Sequence, residues 1–173
     1  MAALIGQIRE LISDNATLET FTDQQIQDAL DAHQTRVRYL RLCDTLTLIP
    51  GGGVVYLEYI AEGYEYWEAD VEIINNTYTP ITPAEADFLR GWFRFDATPA
   101  RPLLISGKVY DMYGAAADLL EKWASKFKLE FDWKEEGVEM KPSQRRQAIM
   151  GLAGEYRAKQ KPRNIQMIRD DIC

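Results

Sequence analysis

The chain has 173 residues, 46% of them hydrophobic, and a formal net charge of −7. That length fits one domain, or one domain with a tail, and suffices to bury a sizeable core. The acidic balance argues against wrapping nucleic acid, and no window approaches the roughly 18 uninterrupted apolar residues of a membrane helix.

The opening MAALIGQIRELISD has no basic leader ahead of an apolar block. It reads as an amphipathic helix over residues 3–14 rather than a signal peptide, with Leu4, Ile5, Ile8, Leu11 and Ile12 on one stripe. Synthesis in the cytoplasm is therefore expected. A second helix, over 22–37, starts at Thr22 as N-cap, with Gln25 completing a capping box and Phe21 stapling onto Ile26. Ile26, Leu30, His33 and Val37 share its inner face, which makes His33 a partly buried boundary residue.

From about residue 39 to 107 the period becomes that of strands. TLTLI, VVYLEYI, WFRF and PLLIS are strand candidates, and Trp67, Ala69, Val71 and Ile73 alternate with acids on a further one. Thr82 as cap and Pro83 at the first helical position predict a short helix over TPAEADFL. The Pro50–Gly53 loop lacks the spacing of a phosphate loop. Glu68, Asp70 and Glu72 read as a solvated face, or one meeting basic residues of a neighbour, rather than a cation site.

A long helix over 108–128 follows. Val109, Met112, Ala116, Leu119, Leu120, Trp123 and Phe127 form its core stripe. Tyr110, Tyr113, Ala117 and Ala124 widen that stripe to about half the circumference, leaving two readings open: a central helix gripped by its own chain, or a flank that meets another subunit. LEFDWKEEGVEM suits a small hairpin or an ordered loop. The last helix, 143–161, is capped by Ser143 and weakened by Gly151 and Gly154, each costing about 1 kcal/mol against Ala. From Lys141 onward the chain carries eight Lys/Arg against three Asp/Glu, a local +5 that leaves the remainder at −12. That basic segment suits nucleic acid, an acidic protein surface, or plain solvation; the arm over 163–173, which mixes Ile165, Met167 and Ile168 with charges, is either disordered or laid on something.

With two cysteines and one histidine there is little material for a zinc or Cys/His catalytic site. No nucleophile–base pair, nucleotide fingerprint or tuned carboxylate pair stands out. No enzyme, cofactor or metal site is expected.

The segments GKVYDMYGAAADLLEKWASKFKLEFDW, SQRRQAIMGLAGEYR and the closing RDD resemble a family of small tailed-bacteriophage proteins, the head–tail connector (adaptor, or neck) proteins. FTDQQIQDALDAHQTRVRYLRL, YEYWEADVEI and ITPAEADFLRGWFRFD fit the same family, so the resemblance covers about residues 21–171 and rests on segment order. It implies structural work in the virion neck: a homo-oligomeric ring, commonly twelve-fold, under the portal. Such a ring extends the DNA channel and presents a platform for a stopper or tail terminator. Double-stranded DNA would pass without specific binding, and no membrane is involved.

The fold expected is α+β and mainly helical. A bundle of about four helices would carry a β-rich insertion between helix two and the long central helix, followed by an extended C-terminal arm. Residues 1–162 would be a single adaptor domain. The resemblance favours a subunit contact for Tyr110, Tyr113, Ala117 and Ala124, and portal docking for Arg163, Ile165, Met167, Ile168 and Arg169. The alternatives are another neck component, a stopper or tail terminator richer in strand, or a phage DNA-associated regulator using the basic arm.

Overall fold

The computed structural model describes residues 1–14, 20–49, 53–127, 133–135, 138–140 and 142–160. Helix α1 (Ala2–Leu11) buries Leu4 and Ile8, and Ile12 continues that stripe. Beyond it the buried Asp14 accepts hydrogen bonds from Arg9 Nη1 at 2.8 Å and from the Thr20 amide at 2.8 Å. One carboxylate thereby satisfies both a cation and the backbone that leads into the next helix. Helix α2 (Asp23–Ala32) opens on the capping box: Thr22 Oγ1 accepts from the Gln25 amide, and Gln25 Oε1 accepts from the Thr22 amide.

After α2 the chain turns extended. β1 (Gln34–Arg41) pairs antiparallel with β7 (Leu104–Tyr110), which pairs on its other side with β4 (Glu72–Ile74), giving the order β1-β7-β4. β2 (Cys43–Ile49) and β3 (Gly53–Ile60) form an antiparallel pair that extends through β6 (Trp92–Arg94) to β5 (Glu85–Asp87). Trp67 anchors the core of this region, with Tyr59, Phe93, Leu103, Ile105 and Ile73. Two glycines make room for its indole. A β-carbon at Gly107 would come within 3.3 Å of the Trp67 ring, and one at Gly91, at φ 66°, would lie 3.0 Å from Trp67 Nε1. The indole N–H donates to the Tyr64 carbonyl at 3.3 Å.

Helix α3 (Met112–Lys126) is capped by Asp111, whose carboxylate accepts from the Gly114 amide. The two-stranded β8 (Trp133–Glu135) and β9 (Val138–Met140) precede helix α4 (Pro142–Lys159). The chain divides into two compact units. A helical unit comprises Ala2–His33 and Asp111–Pro162, and a β unit is built on Gln34–Tyr110. In the helical unit α3 is buried almost all round: Gly114, Ala115, Ala116 and Ala117 are consecutive buried residues, followed by Leu119, Leu120 and Ala124. Only Lys122, Ser125 and Lys126, in its last turns, are exposed, so its first half is central to the helical unit.

The expectation of a mainly helical chain is corrected. The described residues hold four helices, but about 27% of the chain is strand and the helices do not dominate. The largest change is at residues 33–38. Ile26, Leu30, His33 and Val37 keep helical spacing, yet α2 stops at Ala32, and β1 places Val37 inward between the exposed Arg36 and Arg38. The same residues satisfy either period, and β7 decides by supplying a ladder of backbone partners. The long helix likewise begins at Met112, because residues 108–110 belong to that ladder. TPAEADFL yields β5 rather than a short helix. Its residues pair with β6, while Asp87 Oδ1 accepts from the Leu89 and Arg90 amides to form a turn.

Candidate functional site

The residues expected to form a subunit contact are occupied by their own chain. Ala117 and Ala124 are buried in the helical unit. Tyr113 packs against Tyr156 of α4 with the rings tilted at 53° and their centroids 5.7 Å apart, and the Lys159 ammonium lies over both rings. Tyr110 is the last residue of β7, not a helical residue, and is buried with its hydroxyl donating to Glu68 Oε2 at 3.0 Å. The four therefore do not form one exposed flank: the extra apolar width of the helix is taken up by α4. The docking residues Arg163, Ile165, Met167, Ile168 and Arg169, and Pro50–Gly52 of the PGGG loop, lie outside the described residues.

The structure brings together a polar cluster that the sequence reading missed. His33 is buried at the C-terminal end of α2, with Nε2 2.8 Å from Asp118 Oδ2 on α3. An ionised carboxylate can only accept, which places the proton on Nε2. Asp118 also accepts from Arg157 of α4, and Arg157 forks onto Glu121, with Nε to Oε1 and Nη2 to Oε2 both at 3.0 Å. Burial raises the Asp118 pKa, but the hydrogen bonds from His33 and Arg157 outweigh it, so the carboxyl titrates below its ordinary value. The Arg157 guanidinium is pushed up, chiefly by its hydrogen bonds to Glu121.

This cluster ties three helices together. It is closely packed: a β-carbon at Gly114 would collide with His33 Nδ1. Nothing in the local spacing of Asp118 marks a partner 85 residues away.

A second cluster lies in the β unit. Lys108 Nζ donates to Glu68 Oε2 at 2.8 Å beside the Tyr110 hydroxyl, and the Lys108 hydrogen bond is the main cause of a lowered Glu68 pKa. Glu68 is thus partnered, not part of a bare acidic row. Among the described residues no group of three or more His, Cys, Asp or Glu side chains is arranged to hold a metal ion. No described helix is long and apolar enough to cross a membrane.

The outward features of the β unit are aromatic and charged. Tyr39 and Tyr78 are 61% and 73% exposed, the most open large hydrophobic side chains among the described residues, and both sit at positive φ, 53° and 59°. Ile60, Asp87, Arg90 and Trp92 line a shallow open groove on the four-stranded sheet. Comparison with protein-family models, with curated proteins and with solved structures finds no match to this chain.

Proposed function

We propose that this chain is a structural virion protein of a bacteriophage neck. As a head–tail adaptor it would form a ring beneath the portal, extend the DNA channel and join the capsid to the tail. The observation that carries the reading is the contrast between the two units. The helical unit spends its central helix and its polar cluster on its own packing, whereas the β unit turns Tyr39 and Tyr78 outward. Exposed tyrosines on a small sheet suit contact with other proteins, because the ring packs while the hydroxyl finds a polar partner.

The order of segments that resembles the adaptor family supports the same reading. So does the net charge of −7, which suits a channel that lets duplex DNA slide without holding it. The proposed partners are further copies of the chain in a ring of commonly twelve, the portal, which the arm over 163–173 would meet, and a stopper or tail terminator. The site of action is the virion neck, after synthesis in the host cytoplasm. No catalytic role is proposed. The strand content of about 27% favours, as a second reading, another neck component such as a stopper or tail terminator.

Deleting the gene tests the proposal. The expected result is DNA-filled heads without tails, restored by the gene in trans. Fully tailed, infectious particles from the deletion would overturn it.

A further inference from the structure

We infer that the three-stranded sheet of the β unit carries both halves of a head-to-tail contact between copies of this chain: an arginine edge on β1 and an acidic margin at β4. β1 is an edge strand in the order β1-β7-β4. Its alternation sends Val37 and Leu40 into the core and Arg36, Arg38 and Arg41 to the surface. The irregularity between Val37 and Leu40 turns Tyr39 outward as well. Arg36 and Arg38 pair with no carboxylate among the described residues.

Across the sheet, Glu72 of β4 stands opposite Ser106 of β7, and Lys108 stands opposite Arg36. Cross-strand partners share a face, so these side chains lie on the outer one, while Ile73, Ile105 and Leu40 lie on the inner. Glu72 and the preceding Asp70 are both exposed, and the cation between the margins, Lys108, is matched by Glu68. The outer face therefore runs from uncompensated acid at one margin to arginine at the other.

Charges on an edge strand blunt it against strand addition, but any solvated charge does that. The β1 edge instead carries three arginines, no lysine and a tyrosine held in the left-handed region. Arginine and tyrosine are the residue types enriched at protein interfaces, where lysine is depleted. The occupant follows from local charge: exposed Asp70 and Glu72 at one margin complement exposed Arg36 and Arg38 at the other, so a second copy of the chain supplies the acid that the edge lacks. Because the two halves sit at opposite margins, the contact is heterologous and repeats until a ring closes. It is made by side chains: the far side of β4 is already covered, with the Ile81 amide donating to the Ile73 carbonyl at 2.8 Å. The inference deepens the adaptor reading by naming the contact that would close its ring, and rests on that reading for the closed form.

Sedimentation equilibrium of the full chain, at low salt and at about 0.5 M salt where exposed charges are screened, tests it. The expected result is self-association at low salt that weakens at high salt. Arg36→Glu/Arg38→Glu and Asp70→Lys/Glu72→Lys, each folded by circular dichroism, should each weaken association about tenfold or more. An equimolar mixture of the two variants should recover it, because the reversed edge of one meets the reversed margin of the other. A wild-type chain that stays monomeric at every concentration, association indifferent to both variants, or a mixture that recovers nothing would overturn the inference. So would duplex DNA binding lost in Arg36→Glu/Arg38→Glu with association unchanged, which would assign the edge to phosphates. Loss of the neck phenotype with this contact intact would instead remove the adaptor reading and leave the contact standing.

Discussion

A β-carbon at Gly114 would lie 2.6 Å from His33 Nδ1 and 2.7 Å from Asp111 Oδ2. Gly114→Ala should therefore destabilise the helical unit by about 1–3 kcal/mol, although alanine is the better helix former. Gly151 and Gly154 on α4 are the control: nothing lies within 4 Å of a β-carbon at either. Alanine there should stabilise by about 0.5–1 kcal/mol at each position. Urea unfolding measures all three, and a stabilising Gly114→Ala would contradict the close approach of His33. Asp118 adds a pH dependence. Its folded pKa is depressed, so the unfolded chain binds the proton more readily in the window between the two values. Its contribution is complete above the ordinary carboxylate value of about 3.9 and is lost as pH falls through the folded value. Asp118→Asn should flatten the acid limb of the stability profile, and an unchanged limb would refute the assignment. The burial of His33 was legible from the stripe on α2. Its partner was not, because Asp118 looks solvent-facing until α4 brings Arg157 beside it.

At the scale of elements, the width of the apolar stripe on α3 was legible but its purpose was not. Helical spacing reveals how much surface is apolar, whereas only tertiary packing reveals what covers it. Ala117 is completely buried, so Ala117→Trp overfills the core and should unfold the helical unit rather than spare the monomer and block assembly. Circular dichroism separates these outcomes: a native-like spectrum with unchanged stability would return Ala117 to the list of candidate contact residues. The capping box at Thr22 was readable because it is local, with donor and acceptor three residues apart. The end of α2, the start of α3 and the strand β5 were not. At α2 and α3 a plausible local helix signal lost to the pairing of β1 with the distant β7, and at β5 it lost to a short hairpin with β6.

For the whole molecule, a run of strands between helices was visible in the change of period, and its weight in the fold was underestimated by the residues that β1 and β7 took from the flanking helices. The charge asymmetry was also visible, but only as a total. The basic C-terminal segment was visible as a local excess, while Arg36 fell inside the predicted helix over 22–37 and Arg38 and Arg41 beyond its end, so the three had no common edge. The adaptor account places its protein contacts on the β unit and gives the helical unit the work of holding shape. Its most direct test is electron microscopy of purified particles from the genome that encodes the chain, with the protein labelled. The account predicts label in a ring at the junction of head and tail. Label along the tail tube or over the capsid shell, or its absence from the particles, would contradict it.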